Sequence, residues 1–548
     1  MYVHMQVTCH LAYIYPWFLC SPDTTFISQR ERERERERME KSGKPRVAII
    51  GGGISGLAAA KELRRLEPTL FEATDSIGGV WKHCSFRSTR LQTPRPDYEF
   101  SDYQWRDRTD PSFPTHAEIM EYLHGYATRF DLWRLIRLES KVVEVRFLGD
   151  GCNAGFPQPW GDKRQAMGER PVWEVGVVSG LSGTVQWYEF EFVVMCIGKY
   201  GDVPNMPEFP QGKGPEVFQG KVMHSLDYCK LDEEAAETLM KGKKVVVIGY
   251  KKSAIDLAVE CAAVNRGPGG EPCTMVIRTL HWTVPSYAIW GLPFFLFFST
   301  RFSQFLHERP NQGLLRSLAC HLLSPVRRGV SKFIESYLTW KLPLEEYGLK
   351  PDHPFVEDYA SCQMAILPEN FFAEADQGRI LFKKSSRWCF WEGGVVLDDG
   401  TRLEADVVLL ATGFDGKKKL RSVLPEPGTI HPLIPHMAFV GYIESVSNLH
   451  TSELRCKWLG RLLKGHFELP SVEEMFRQTS QETEVMKRTT RFYRRHCIST
   501  FSINHSDEMC EEMGWSSWRK RNWMSEAFGA YNNQDYKEDK SEQAVLLD

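Results

Sequence analysis

"VAIIGGGISGLAAAKELRRL", residues 47–66, decides the fold. A short β-branched run passes through Gly51, Gly53 and Gly56 into an alanine-rich stretch of helical pattern. Each glycine has separate work: the first makes the tight turn, the second lets the backbone approach a pyrophosphate, and the third lets helix and strand pack closely. The free amides at the helix start, Ile54 and Ser55 among them, and the positive end of the helix dipole then face the phosphates. A second strand, "PTLFEA" (68–73), carries Glu72 about twenty residues on, where an acid accepts hydrogen bonds from a ribose. Strand, turn, helix and acid together predict a dinucleotide site rather than a bare turn.

The design recurs at "KKVVVIG" (243–249), where a β-rich strand reaches Gly249 and is followed by the helical "SAIDLAVECAA" (253–263). Here Lys251 stands where such a turn has its middle glycine, and any side chain there crowds a pyrophosphate. A cation in that place also makes charge-assisted hydrogen bonds to an anion, so Lys251 and Lys252 either meet the nucleotide or point into solvent. In both cases Gly249, the helix start and Ser253 remain as binding elements. The next strand, "CTMVIRT" (273–279), ends in Arg278 rather than an acid, which favours NADPH over NADH.

Two further apolar strands, "FEFVVMCIGKYG" (190–201) and "EADVVLLATGFDG" (404–416), run into glycine turns. Buried parallel strands read this way, and their carboxyl ends are where a doubly wound sheet holds its ligand. They mark the crossings between a larger nucleotide domain and an inserted one, closing at about Gly198 and returning at about Gly413. The expected class is α/β with two Rossmann-like domains. Residues 44–200 and 406–530 form the first, 201–405 the inserted second, and 531–548 a flexible tail.

The rest of the 548 residues sets limits. A net charge of -3 with 25% charged residues gives no global attraction to nucleic acid. Fourteen cysteines without a CxxC write neither a zinc cluster nor a close redox pair, so no metal site is expected and reduced thiols in the cytosol fit best. The alternating Arg and Glu of residues 30–38 offer no core-forming face; 1–43 is expected to be a disordered or untranslated leader, with Met39 a plausible start and a targeting signal the alternative. "WGLPFFLFF" (290–298) is too short to span a bilayer and reads first as a buried wall or channel lining, a membrane-contacting patch being the other reading.

The chain resembles the flavin-containing monooxygenases, from about residue 46 to about 531. Their FxGxxxHxxxY fingerprint stands here as "FQGKVMHSLDY" (218–228), their GGxW element as Gly78, Gly79 and Trp81, and their ATG element as "LLATGFDG". "KYGDVP", "IGYKKSAIDLA", "RPNQ", "FFAEADQG" and "RRHCISTFSI" are similar to the plant branch that N-hydroxylates pipecolic acid in systemic acquired resistance, where the double lysine is a branch trait.

The resemblance implies FAD in the first domain, NADPH in the second, and transfer of one oxygen atom from dioxygen to a soft nucleophile. The flavin carries the hard chemistry, so no side chain is singled out as catalytic. His224 and Tyr228 read as structural residues, and Asp256 as a local hydrogen-bonding partner.

Two departures stand out. Pro94 in "LQTPRPDYEF" replaces the asparagine that many relatives place beside the flavin, and "LPEPGTIHPLIP" (424–435) is shorter than its counterparts. They motivate a flavin-binding protein without turnover as a rival to N-hydroxylation, with oxygenation of a thioether or another amine a second rival. A disulfide reductase would need a redox partner near Cys84, and the sequence places none beside it. A cytoplasmic location is expected, with peripheral contact with the endoplasmic reticulum left open.

Overall fold

The computed structural model describes residues 47–148, 172–180, 183–421 and 434–538. In chain order the first elements are β1 (Val47–Ile50), α1 (Ile54–Glu62), β2 (Thr69–Phe71), α2 (Val80–His83), β3 (Ile136–Arg137) and β4 (Phe192–Met195). Then come β5 (Lys221–His224), β6 (Val245–Ile248), α3 (Lys252–Val264), β7 (Cys273–Ile277), α4 (Leu314–Leu322), α5 (Ser324–Lys341) and β8 (Ile380–Lys384). The last are β9 (Val407–Leu410), β10 (Met437–Phe439) and α6 (Asn448–Leu463).

Two five-stranded parallel sheets organise the chain, ordered β10-β4-β1-β2-β3 and β8-β7-β6-β9-β5. The central strands β1, β4, β6 and β9 are buried along their whole length, as both-face burial of a parallel strand requires. The echo seen in the sequence is therefore topological. In each sheet a strand-turn-helix-strand unit is followed by a third strand, a three-stranded antiparallel meander, and a strand returning beside the first. Both glycine turns thus lie at carboxyl strand ends, the ligand-binding edge of such sheets.

Two expectations need correction. The apolar strand β9 pairs with β5 and β6, so the second sheet extends to Leu410 and a boundary at 405/406 cuts it short. The Lys221–His224 segment of the fingerprint forms the edge strand β5. Residues 531–538 are no loose tail: Asn533 is buried and donates to Glu99 O (2.6 Å), while the buried ammonium of Lys457 donates to Tyr536 O (3.1 Å). Polar composition misled there, since Asn532 and Asp535 form a capping box that gives the segment local order. The leader, the junction at Pro427 and Gly428, and the chain after residue 538 lie outside the described residues.

The cysteines hold a further difference. Cys362 and Cys497 are disulfide-bonded across a separation of 135 residues, with their Cα atoms 6.0 Å apart. Spacing in sequence carries no signal for a pair so far apart. Mild reduction is expected to lower the unfolding midpoint of the wild type by the equivalent of about 2–4 kcal/mol and to leave Cys497→Ser unmoved. Equal responses in thermal unfolding with and without reductant would show that the bond does not form.

Candidate functional site: two nucleotide turns and the cluster between them

The first turn is shaped by what a side chain would strike. A Cβ at Gly56 would lie 1.8 Å from the carbonyl oxygen of Gly51, and one at Gly51, whose φ is +106°, would lie 2.7 Å from the carbonyl oxygen of Cys196. Gly53 and Gly79 face each other, a Cβ at Gly79 falling 3.2 Å from the Cα of Gly53. Gly78 N–H donates to Gly52 O (2.9 Å), which holds the second glycine pair over the first. The amides at the start of α1 thus meet a lip bare of side chains, and a phosphate chain can approach the backbone there.

Glu72 is buried above this turn. Its Oε2 accepts from Gly52 N–H (2.6 Å), and its Oε1 accepts from the amide (3.0 Å) and hydroxyl (2.7 Å) of Thr74. These bonds hold the carboxylate against the glycine turn. Ser55 turns its hydroxyl to Ser452 of α6 (2.9 Å), so of its groups the backbone amide is the one suited to a phosphate. Ile54 opens α1, and Trp81, on α2, donates from its indole N–H to Tyr98 Oη (2.8 Å). Pro94 precedes a short 3-10 turn, and beside it the hydroxyl of Thr93 is buried without a protein partner.

The second turn keeps Gly249 at φ +139°, where a Cβ would sit 2.7 Å from Ala411 O. Lys251 is the residue before α3, extended rather than left-handed, so a lysine fits its backbone without strain. Neither lysine points freely into solvent. Lys251 Nζ donates to Gln363 Oε1, and Lys252 Nζ pairs with the buried Asp256 (2.6 Å), the local bond expected of that acid. Burial pushes the Lys251 ammonium down to about 8, with nearby Arg495 adding to the effect. Burial likewise pushes Asp256 up to about 6 against the pull of Lys252. Ser253 lies in the first turn of α3, and Arg278, exposed at the end of β7, makes no ion pair among the described residues.

Sequence reasoning missed a cluster beside Lys251. Glu444, buried, accepts from Lys199 Nζ (3.1 Å), Tyr200 Oη (2.7 Å) and Arg495 Nη2 (2.9 Å), and Arg495 Nη2 also donates to Tyr200 Oη (2.7 Å). Lys199 and Tyr200 follow β4, Glu444 follows β10, and Arg495 belongs to the "RRHCISTFSI" stretch. Lys251 lies in the field of this cluster and also in that of Asp358, and the Nε–H of Arg495 is buried without a hydrogen-bond partner among the described residues. The similarity of "KYGDVP" and "RRHCISTFSI" to one branch was the signal that marked these segments.

The fingerprint residues make local hydrogen bonds. His224 Nδ1 accepts from Leu226 N–H (3.1 Å), and burial lowers its pKa, which favours the neutral ring. Tyr228 donates to Glu260 (2.7 Å), whose other carboxylate oxygen binds the amide (2.8 Å) and hydroxyl (2.5 Å) of Ser88. That relay joins the fingerprint to the segment following α2. Cys229 lies within electrostatic reach of Cys84, but burial holds the two thiols at about 12 and about 11, far from the thiolate a dithiol reductase requires.

His281, His353 and Asp358 are close enough to share a cation. Asp358, however, already bonds His281 Nδ1 (2.8 Å), contacts His353 Nε2 (2.9 Å) and accepts from Trp282 N–H (2.6 Å), which describes a buried clamp.

Comparison with known proteins agrees with this geometry. Residues 44–518 match the family model FMO-like, flavin-binding monooxygenase-like. The chain is 60% identical over 515 residues to the probable flavin-containing monooxygenase 1 of Arabidopsis thaliana, covering 91% of this chain and 97% of that one. It is 27% identical over 497 residues to flavin-containing monooxygenase 5 of Homo sapiens, covering 86% and 83%. The open crystal structure of cyclohexanone monooxygenase superposes with a TM-score of 0.60 at 18% identity over 85% of this chain and 98% of that one, a likeness of fold. The chain belongs to the flavin-binding monooxygenase-like family, NADPH-dependent oxidoreductases that use FAD.

The residues present fit both cofactors. The first turn is bare where a phosphate must approach, the Thr93 hydroxyl is unpartnered, and the second turn gathers cations. Gly56→Ala is expected to lower bound FAD roughly tenfold or more, since a methyl group there must displace backbone. Flavin absorbance per protein reads this directly, and a fully loaded variant would contradict it. Were Lys251 to meet the nucleotide phosphates, its protonated form below about pH 8 would attract them and its neutral form above would not. The Kd for NADP+ should therefore rise about tenfold between pH 7 and 9, the worth of one charge-assisted hydrogen bond, and rise less in Lys251→Arg. Identical pH profiles in titration calorimetry would remove Lys251 from the site.

Proposed function

We propose that this enzyme N-hydroxylates a small amine bearing a carboxylate, a cyclic amino acid such as pipecolic acid, within the plant defence signalling of systemic acquired resistance. The observation that carries the substrate class is the excess of cations around Glu444. Lys199 and Arg495 outnumber Glu444, the one acid that both bond, and the Arg495 Nε–H is free to donate to a carboxylate. Neither a neutral amine nor a simple thioether supplies that negative charge.

FAD, when bound, supplies the activation of dioxygen and NADPH the reducing equivalents. The chain's own tasks are to bind and to orient. Gly51, Gly53, Ile54, Ser55, Gly56, Gly79 and Trp81 hold the FAD, with Glu72 on its ribose; Gly249, Lys251, Lys252, Ser253 and Arg278 hold NADPH. Arg495 and Lys199 orient the substrate carboxylate, which leaves the amine free to react. The enzyme works in the cytoplasm, with peripheral contact with the endoplasmic reticulum.

Incubation with NADPH, dioxygen and pipecolate should give a product one oxygen atom heavier by mass spectrometry. Arg495→Met should raise KM for pipecolate about tenfold while changing the KM of a neutral amine little, because one charge-assisted bond is lost. A panel of thioethers and neutral amines tests the rival reading: faster turnover there than on any amino acid would overturn the substrate class. NADPH consumption without any oxygenated product would favour the flavin-binding protein without productive turnover, which Pro94 motivates.

A further inference from the structure

The disulfide between Cys362 and Cys497 ties the inserted domain to the returning chain, and it lies where the two proposed sites meet. Cys362 sits in the loop after the short helix Phe355–Ala360, and Cys497 in the stretch that carries Arg495. Each sulfur has a functional candidate beside it. On one side Gln363, the next residue, accepts from Lys251 Nζ, and its backbone N–H donates to Asp358 O (2.9 Å). On the other, Cys497 and Glu444 form an isolated parallel bridge, in which Glu444 N–H donates to His496 O (3.1 Å) and Ile498 N–H to Glu444 O (2.9 Å). The closed bond therefore fixes the partner of Lys251 against the segment of Glu444 and Arg495.

Backbone shape at the bond shows that the junction is held rather than relaxed. Cys362 and His496 both have φ +53°, the left-handed region in which a non-glycine residue persists where its surroundings over-determine it. Noncovalent ties cross the same junction. Ser499 Oγ donates to Tyr359 O (2.6 Å), Thr490 Oγ1 donates to Glu357 O (3.0 Å), and Arg491 Nε pairs with the Glu357 carboxylate (3.0 Å). Opening the disulfide thus leaves the two segments in contact but frees the loop that carries Gln363 to shift.

Selectivity marks the bond as a point of control. Nine other cysteines among the described residues are free thiols, so this is not the many-bridged scaffold of a secreted domain. A single disulfide in a chain otherwise rich in thiols is the pattern of a bond that opens and closes. Cys497 is 2% exposed and Cys362 half-buried, so an incoming thiolate meets the Cys362 sulfur first. Its attack forms a mixed disulfide, while the S–S electron pair and a proton go to Cys497. The second thiol of the reductant then attacks that mixed disulfide and releases Cys362 as a thiol. In all, two electrons and two protons pass from the dithiol to the protein, and the reductant leaves as a disulfide. The same exchange run backwards by an oxidised dithiol closes the bond.

We propose that Cys362–Cys497 is a redox-controlled tether, opened by a dithiol reductant, that sets how tightly the Lys251 turn holds NADPH. This rests on the reading of Lys251 as part of the nucleotide site. Closed, the tether keeps Lys251 at Gln363, where burial depresses its ammonium and Arg495, Glu444, Asp358, Arg278 and His281 surround it with charge. Open, it lets the side chain relax toward solvent and toward its ordinary basicity.

The test uses the FAD-loaded full chain equilibrated with oxidised or reduced dithiothreitol, the state of Cys362 and Cys497 being read by alkylation and peptide mass mapping. Reduction should expose both thiols to alkylation and raise the Kd for NADP+ about fivefold, the worth of one positioning hydrogen bond. Reoxidation should restore the affinity, and flavin content should stay constant throughout. The rise in Kd between pH 7 and pH 9 should also shrink in the reduced chain, a change that general loosening does not bring. Cys497→Ser should bind NADP+ at the reduced level with or without dithiothreitol, and Lys251→Gln should bind weakly in both states. A wild type that maps as bonded and then as free thiols yet binds NADP+ equally in the two states would overturn the tether, as would a bond that never closes. Weak binding by Lys251→Gln beside a redox-insensitive wild type refutes the tether alone. Binding by Lys251→Gln equal to that of the oxidised wild type refutes the nucleotide role of Lys251, and the proposal with it.

Discussion

The approach of α1 to β1 constrains everything built at the first site. With a Cβ at Gly56 only 1.8 Å from Gly51 O, the helix can start where it does only if that position is bare. Its start fixes the direction of the free amides, and Gly79 meets the same lip from the other side. Glu72, bonded to Gly52 N–H, then stands at a set distance from those amides. The bare lip and the fixed position of Glu72 are thus two consequences of one close contact, and dipole and amides at such a helix start favour an anion.

The second sheet repeats the topology but not the chemistry. Gly249 retains the backbone freedom and close approach to Ala411, while position 251, two residues on, carries an ammonium. Extended backbone at Lys251 makes a side chain there cheap, and Gln363 holds it. The lysine thereby joins the group around Glu444, so the nucleotide turn and the proposed substrate cluster share a field. The Cys362–Cys497 bond lies beside the same junction, one residue from Gln363 and two from Arg495.

Much of this was legible because local rules wrote it. Apolar runs entering glycine turns announced β1, β4, β6 and β9, and the spacing from the first turn singled out Glu72, which the structure sets against that turn. What stayed hidden depends on segments that meet only in space. Glu444, Lys199 and Arg495 come from three distant stretches without a shared spacing, as do the two bonded cysteines. The membership of β9 in the second sheet is a matter of pairing, which an apolar run does not declare. The "WGLPFFLFF" segment is divided, with Phe294 and Phe298 buried and Trp290, Leu292 and Leu296 exposed, which an apolar run does not announce either.

The central claim is that a turn carrying Lys251, with Arg278 at the next strand end, forms a working NADPH site. Anaerobic stopped-flow mixing of the FAD-loaded protein with NADPH or NADH tests it most directly. The account predicts rapid bleaching of the oxidised flavin band by NADPH, saturating at a concentration well below that needed for NADH. Flavin that stays oxidised in NADPH, or that bleaches equally well with NADH, would contradict it.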